Sequence, residues 1–203
     1  PAREEIRVAL EKKILEMKQN RIAPDSITFS GNGEPTLHPY FEQIIEDAID
    51  FRNKYFPSAK VTVFSNATTF HKPVVFAALN KVDNNILKFD SAIDSTIRLI
   101  DRPSSKTFTV KKLIKDLKRF QGNLIIQTIF LRGEFDGQII DNTTEEEVSA
   151  WLLALQEIQP RQVMIYTVDR HTPARNIHKI ALADLNKIAA KVENLGLKVS
   201  VSG

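Results

Sequence analysis

Two hydrophobic periods take turns along the chain. Ile6, Leu10, Ile14 and Met17 recur at helical spacing among Glu, Lys and Arg, which predicts a first helix from Arg3 to Gln19. Ser26 to Phe29 is a short β-rich run ending at Ser30-Gly31. Phe41, Ile44, Ile45, Ala48 and Ile49 form a second helical stripe, opened by Pro39 and stopped by Pro57. Lys60 to Phe64 reads as a strand ending at Ser65-Asn66, Pro73 to about Asn80 as a short helix, and Asn85 to Phe89 as a strand ending at Asp90. Ser91 to Thr107 is irregular, with one helical turn around Thr96 to Leu99. Val110, Leu113, Ile114, Leu117 and Phe120 make another helical face, and Asn123 to Leu131 is the longest apolar β run.

The second half continues the pattern. Arg132 to Asn142 carries two glycines and three acids and reads as a long loop. Thr144 and Glu147 have the spacing of a capping box, opening a helix through Val148, Trp151, Leu152, Leu155 and Ile158. Gln162 to Val168 is a strand, Asp169 to Lys179 a polar irregular segment, Leu185 to Leu195 a helix closed by Gly196, and Leu197 to Val201 a final strand.

Strict alternation of helix and strand implies parallel strands, because each helix returns the chain to the same edge. A doubly wound sheet and a TIM-type barrel both fit. In either, ligands gather at the carboxyl ends of the strands. Those ends carry Ser30 to Pro39, then Ser65 to Thr68, then Lys88, Asp90 and Ser91, then Gln127, Phe130 and Arg132, and last Tyr166, Asp169, Arg170 and His171. Sharing one end, these five clusters are expected to converge on one ligand.

Composition narrows the chemistry. The chain of 203 residues is 42% hydrophobic and 26% charged, which fits one globular domain over residues 1–203. No apolar run is long enough to cross a membrane and no signal-peptide pattern opens the chain, so a cytoplasmic location is expected. A net charge of +3 is too small to argue for nucleic acid. There is no cysteine, which excludes disulfides, thiolate zinc sites, cysteine nucleophiles and thiolate-held iron–sulfur clusters within these residues. The chain opens at Pro1, without Met, directly into a helix, which is expected of a fragment as readily as of a processed chain.

The turn after the first strand stands out because glycine is scarce. Gly31 and Gly33 let the backbone bend and a ligand approach closely, and Glu34 beside them suits an ammonium. The same residue types also make an ordinary strand-to-helix turn. The turn is not a P-loop, because the Lys-Ser/Thr ending is missing. Lys88 and Asp90, two apart on a strand, point the same way, either into a barrel lumen or into an ion pair with a neighbouring strand. His38, His71, His171 and His178 have no zinc-ligand spacing and fit surface or capping roles. Lys111, Lys112, Lys115, Lys118 and Arg119 read first as a solvated helix face and second as a nucleic-acid surface.

Phe29-Ser-Gly-Asn-Gly-Glu-Pro-Thr-Leu-His-Pro39 resembles the segment that carries a Gly-Gly-Glu-type motif in radical S-adenosylmethionine enzymes. Val63-Phe-Ser-Asn66, Leu87-Lys-Phe-Asp90, Asp101-Arg-Pro103 and Val163 to Arg170 are similar to later segments of that superfamily. Together they look most like a bacterial branch of iron–sulfur oxidoreductases, distantly similar to wybutosine-synthesis enzymes. The resemblance spans the whole chain.

It implies an α/β fold, a partial TIM-type (β/α)6 barrel with parallel strands. The first strand and the Cys-x3-Cys-x2-Cys loop of the family would lie upstream of Pro1. It implies S-adenosylmethionine as cofactor, with a [4Fe-4S] cluster in the full-length protein whose ligands are not in this chain. Carried over, Gly31, Asn32, Gly33 and Glu34 would receive the methionine amino group, and Asn66, Asp90 and Gln127 the ribose and carboxylate region, with Lys88 and Tyr166 as further candidates. No metal ligand and no catalytic residue is assigned. The expected activity is reductive cleavage of S-adenosylmethionine to a 5′-deoxyadenosyl radical by the parent enzyme, the fragment itself being inactive. The expected partners are an electron donor such as flavodoxin or ferredoxin and an unknown substrate, with no membrane. A non-catalytic nucleoside-binding module and a tRNA-modifying enzyme are the competing readings.

Overall fold

A computed structural model describes residues 1–31, 33–169 and 176–203. The chain divides into two compact units, Pro1–Ile86 and Leu87–Gly203.

The first unit begins with α1 (Arg3–Gln19), followed by β1 (Ser26–Phe29), a 3-10 turn at Pro35–Leu37, α2 (Phe41–Tyr55), β2 (Lys60–Ser65) and α3 (Pro73–Lys81). The strand β3 (Asn84–Lys88) crosses from this unit into the next. Strand order in the first unit is β1-β2-β3. β1 and β2 pair in parallel, Ser26 opposite Lys60 and Phe29 opposite Val63. Of the predicted stripe of α2, Phe41, Ile44, Ile45 and Ala48 are all below a tenth exposed; Ile49 is only half-buried, and Phe51, which the stripe did not include, completes the buried face. Arg3 fastens α1 to α2 with a two-pronged bond to Asp47 at 2.9 and 2.8 Å. Asp83 accepts from the Arg52 guanidinium at 2.7 Å and from the Val61 amide at 2.8 Å, tying α2 to β2. Backbone and guanidinium donors outweigh partial burial and hold its carboxyl below the ordinary aspartate range.

The second unit holds the end of β3, α4 (Asp94–Asp101), α5 (Val110–Leu117) with a 3-10 turn at Lys118–Phe120, β4 (Ile125–Phe130), β5 (Arg132–Phe135), β6 (Gln138–Asp141), α6 (Glu145–Ile158), β7 (Gln162–Thr167), β8 (Asn176–His178), α7 (Leu182–Glu193) and β9 (Val199–Ser202). Its main strands run in the order β3-β4-β7-β9. β7 lies parallel to β4, with Gln127 opposite Met164 and Ile129 opposite Tyr166, and parallel to β9, with Tyr166 opposite Ser202. Along β7 the alternation is strict. Val163, Ile165 and Thr167 are buried, whereas Gln162, Met164 and Tyr166 stay half-exposed on the other face. The parallel α/β architecture expected from the alternation is present.

Three local readings are corrected. The segment 132–142 is a β-hairpin, not a loop: β5 pairs antiparallel with β6 and, on its other side, with β8. Asp136 and Gly137 both take positive φ, 51° and 75°, the two-residue type I′ connection that suits hairpin twist. Gly133, at φ 150°, lies so close to β8 that a Cβ there would sit 1.9 Å from the Asn176 carbonyl oxygen. The turn predicted at Thr96 is the middle of a full helix, α4. Thr144 does cap α6, its hydroxyl accepting from the Glu147 amide at 3.3 Å, but Glu147 does not return to the cap. Its carboxylate is buried and accepts from Ser91 at 2.7 Å and Thr96 at 2.5 Å.

Candidate functional site

Each unit carries polar side chains at the carboxyl ends of its strands. In the first unit β1 runs out at Phe29 and the chain turns through Gly31 and Gly33 to Glu34, which caps the 3-10 turn. The Glu34 carboxylate is held from two sides. Oε1 accepts from the Thr36 amide at 3.2 Å and the Thr36 hydroxyl at 2.5 Å, while Oε2 accepts from the Asn66 amide at 2.6 Å. The Thr36 hydroxyl also meets that of Thr69, both buried. The turn after β1 is thereby fixed to the turn after β2, as their shared end of the strands predicts. A carboxylate offers about four acceptor positions, so Oε2 keeps one for a ligand donor.

Asn66 is exposed, and its Oδ1 accepts from the Thr68 amide at 3.1 Å and the Thr68 hydroxyl at 2.6 Å. That local turn leaves its carboxamide NH2 as the group it can offer. Gly31 does not take positive φ, so a sharp bend is not what requires glycine there. Among the described residues, and apart from its chain neighbours, a Cβ at Gly31 or Gly33 would meet no atom within 4 Å. What glycine leaves at both positions is bare backbone beside open space. Asn32 lies outside the described residues, as do Arg170 and His171.

In the second unit the end of β3 carries Lys88 and Asp90. The Lys88 ammonium lies 2.8 Å from Asp90 Oδ2 and 2.8 Å from Asp101 Oδ1 at the end of α4. The sequence had left the partner open, and the structure supplies a helix-borne aspartate. Asp90 is fully buried, and its Oδ1 accepts from the Ile129 amide of β4 at 2.9 Å. Burial first, then the neighbouring Asp101 charge, push its carboxyl well above the ordinary range, against the opposing pull of Lys88. Burial alone would lower the Lys88 ammonium, but the two carboxylates outweigh it and hold it above its usual range. Tyr166 is pushed up to about 12, by burial first and then by Asp90, so it remains a phenol at physiological pH. Gln127 is half-exposed on the same face of the sheet as Ile129, and its carbonyl accepts from the Phe89 amide at 3.0 Å.

One residue of this unit was missed. Asn142, 1% exposed, accepts from the Leu131 amide at 2.9 Å and donates to the carbonyls of Asp90 at 2.8 Å and Ile129 at 2.7 Å. It clasps the ends of β3 and β4 together. Nothing in the local pattern marks it, because a buried asparagine at a loop edge reads as a loop residue.

Comparison with known proteins fits this geometry. A domain of pyruvate-formate lyase-activating enzyme from Bacteroides vulgatus aligns over 87% of this chain and 98% of its own, at TM-score 0.61 and 15% identity. Streptococcus suis SuiB, solved bound to S-adenosylmethionine, aligns over 95% of this chain and 42% of its own at 0.65 and 16%. A radical SAM methyltransferase from Sphaerobacter thermophilus aligns over 93% and 54% at 0.68 and 13%. The chain has the partial-barrel fold of radical SAM enzymes. Among curated sequences, a UPF0026 protein of Helicobacter pylori is 29% identical over 152 residues, 72% of this chain and 44% of that protein. A protein named GTPase Obg from Brachyspira hyodysenteriae is 25% identical over 170 residues, 81% of this chain and 23% of that protein. The chain thus spans less than half the length of these two relatives. No family model matches it. Among the described residues no helix is long and apolar enough to cross a membrane.

Two cofactors are implied by the resemblance, and the residues fit only one. The half-buried Glu34 with its spare acceptor, next to open backbone at Gly31 and Gly33, suits an amino-acid ammonium. An iron–sulfur cluster does not fit the residues present. The chain has no thiolate, and the described residues include no group of three His, Asp or Glu placed to hold a metal.

Proposed function

We propose that this chain is the S-adenosylmethionine-binding core of a radical enzyme. The observation that supports it best is the turn at 31–34, where Glu34 is locked to the Asn66 amide with one acceptor position left and both glycines keep their surroundings clear. Gly31, Gly33 and Glu34 would take the methionine ammonium, with Asn32 between them, and Asn66 would offer its carboxamide beside them. Asp90 and Gln127, which the resemblance assigns to ribose and carboxylate, belong to the second unit. Bound S-adenosylmethionine supplies a sulfonium whose reductive cleavage yields a 5′-deoxyadenosyl radical. The chain's own part is to bind and orient it. Without thiolates these 203 residues do not hold a cluster of their own, so on this reading they do not cleave the cofactor unaided, and an electron donor such as flavodoxin or ferredoxin acts on the longer parent.

The test has two arms. Titration calorimetry of the chain with S-adenosylhomocysteine is expected to show binding that weakens at least tenfold in Glu34→Gln, which keeps shape and loses charge. The parent protein, reconstituted with iron and sulfide and reduced, is expected to release 5′-deoxyadenosine. Absence of that product from a parent bearing a loaded cluster overturns the enzymatic reading. Binding that persists without it favours the nucleoside-binding module, the reading that the missing cysteines support.

A further inference from the structure

The second unit buries two carboxyl groups against a single ammonium. Asp90 is fully buried and Asp101 is a fifth exposed by side chain, and both lie 2.8 Å from the same Lys88 nitrogen. The two oxygens concerned, Asp90 Oδ2 and Asp101 Oδ1, are buried, and among the described residues each has only the Lys88 ammonium beside it. Ionised throughout, the cluster would carry a net negative charge with the Asp90 carboxylate fully buried, which is costly.

We propose that Asp90 and Asp101 together hold one proton beside Lys88 at neutral pH, so that the end of β3 presents a neutral triad. The position of the proton follows from the bonds already made. Asp90 Oδ1 accepts the Ile129 amide, which stabilises charge on that oxygen and leaves Oδ2, facing Asp101 and Lys88, to share the proton. Among the described residues the titratable groups against Asp90 are Lys88 from β3, Asp101 from α4 and Tyr166 from β7, with the neutral Ile129 amide from β4 on its other oxygen. Tyr166 stays a phenol and adds no charge. The proton belongs to the pair, not to one residue. Asp90 and Asp101 are on this account positioning residues for Lys88, whose side chain remains 29% exposed. The triad switches to a net anion only when the shared proton leaves at high pH. This inference does not depend on the proposed cofactor.

The experiment follows the side-chain carboxyl carbons of [13C]aspartate by NMR across pH in the 203-residue chain. One carboxyl signal of the pair is expected to remain at the protonated position at pH 7 and to move only at higher pH. In Asp101→Asn the second negative charge is gone, and Asp90 should titrate at least tenfold more readily, moving toward the ordinary aspartate range. Two ionised carboxyls at pH 7 in the unmodified chain would overturn the proposal. So would a retained proton on Asp90 that Asp101→Asn leaves unmoved, since burial without sharing would then account for it. Because the titration is read first on the unmodified chain, a variant that does not fold leaves the first outcome decisive.

Discussion

Replacing Asn142 by alanine should unfasten the ends of β3 and β4. The side chain makes three buried hydrogen bonds at 2.7 to 2.9 Å, all to backbone groups. At about 1 kcal/mol net for each bond, the loss is about 3 kcal/mol, and more if the stranded carbonyls of Asp90 and Ile129 find no water. For a chain of this size that lowers Tm by roughly 6–12 °C. Trp151 is the chain's only tryptophan, is 1% exposed and belongs to the same unit, so its fluorescence reports this unit during urea unfolding. Hydrogen exchange at the Leu131 amide reads the clasp directly. Asn142→Asp keeps the acceptor for Leu131 but turns a second acceptor toward two carbonyls, and should cost at least as much. A loss below about 1 kcal/mol in Asn142→Ala, or an aspartate variant as stable as the parent, would refute the clasp.

Further outcomes follow from other contacts. Trp151→Phe removes the indole donor to the Thr128 hydroxyl at 3.2 Å and part of the edge-on stack with Phe130, and should cost about 1–2 kcal/mol by circular dichroism melts. Gly133→Ala drives a Cβ into the Asn176 carbonyl and should release β8, seen as faster amide exchange over 176–178 while the main strands keep their protection. Asp83 has a depressed carboxyl in the folded chain, so its stabilisation is present above the ordinary aspartate range and is lost as pH falls through its lowered value. Asp83→Asn should therefore flatten the fall in stability below about pH 4, measured by urea midpoints across pH. Asp90 has the opposite sign. Its raised carboxyl makes stability decline as pH rises from the ordinary aspartate range to its own higher value, and Asp90→Asn should reduce that slope.

Most elements were legible because their burial is one-sided. The stripe Phe41, Ile44, Ile45 and Ala48 is the face α2 buries, and the alternation of Gln162 to Thr167 is the alternation of β7. The hairpin at 132–141 was not, although Asp136-Gly137 is a strong two-residue hairpin signal. Half the residues of its two strands are exposed, Ile139 to 84%, and only Ile140 is buried, so no hydrophobic period marks them. Glu147 misled for a related reason. Spacing fits a capping box, but the buried hydroxyls of Ser91 and Thr96, distant in sequence, are donors the local pattern cannot show.

The candidate site shows the same limit in a sharper form. Sequence reading places Glu34 and Asp90 alike, each a carboxylate just past a strand. The structure separates them by what they already accept. Asp90 is fully buried, with the Ile129 amide on one oxygen and the Lys88 ammonium on the other. Glu34 is half-buried, has spent three acceptor positions on fixing one turn to another, and retains a fourth beside bare glycine backbone. A group whose valences are filled by the protein orients its neighbours, whereas a group with one left over, held rigid by the rest, can meet a ligand without first giving up a bond. On that ground Glu34 carries the binding proposal and Asp90 is assigned to the support of Lys88.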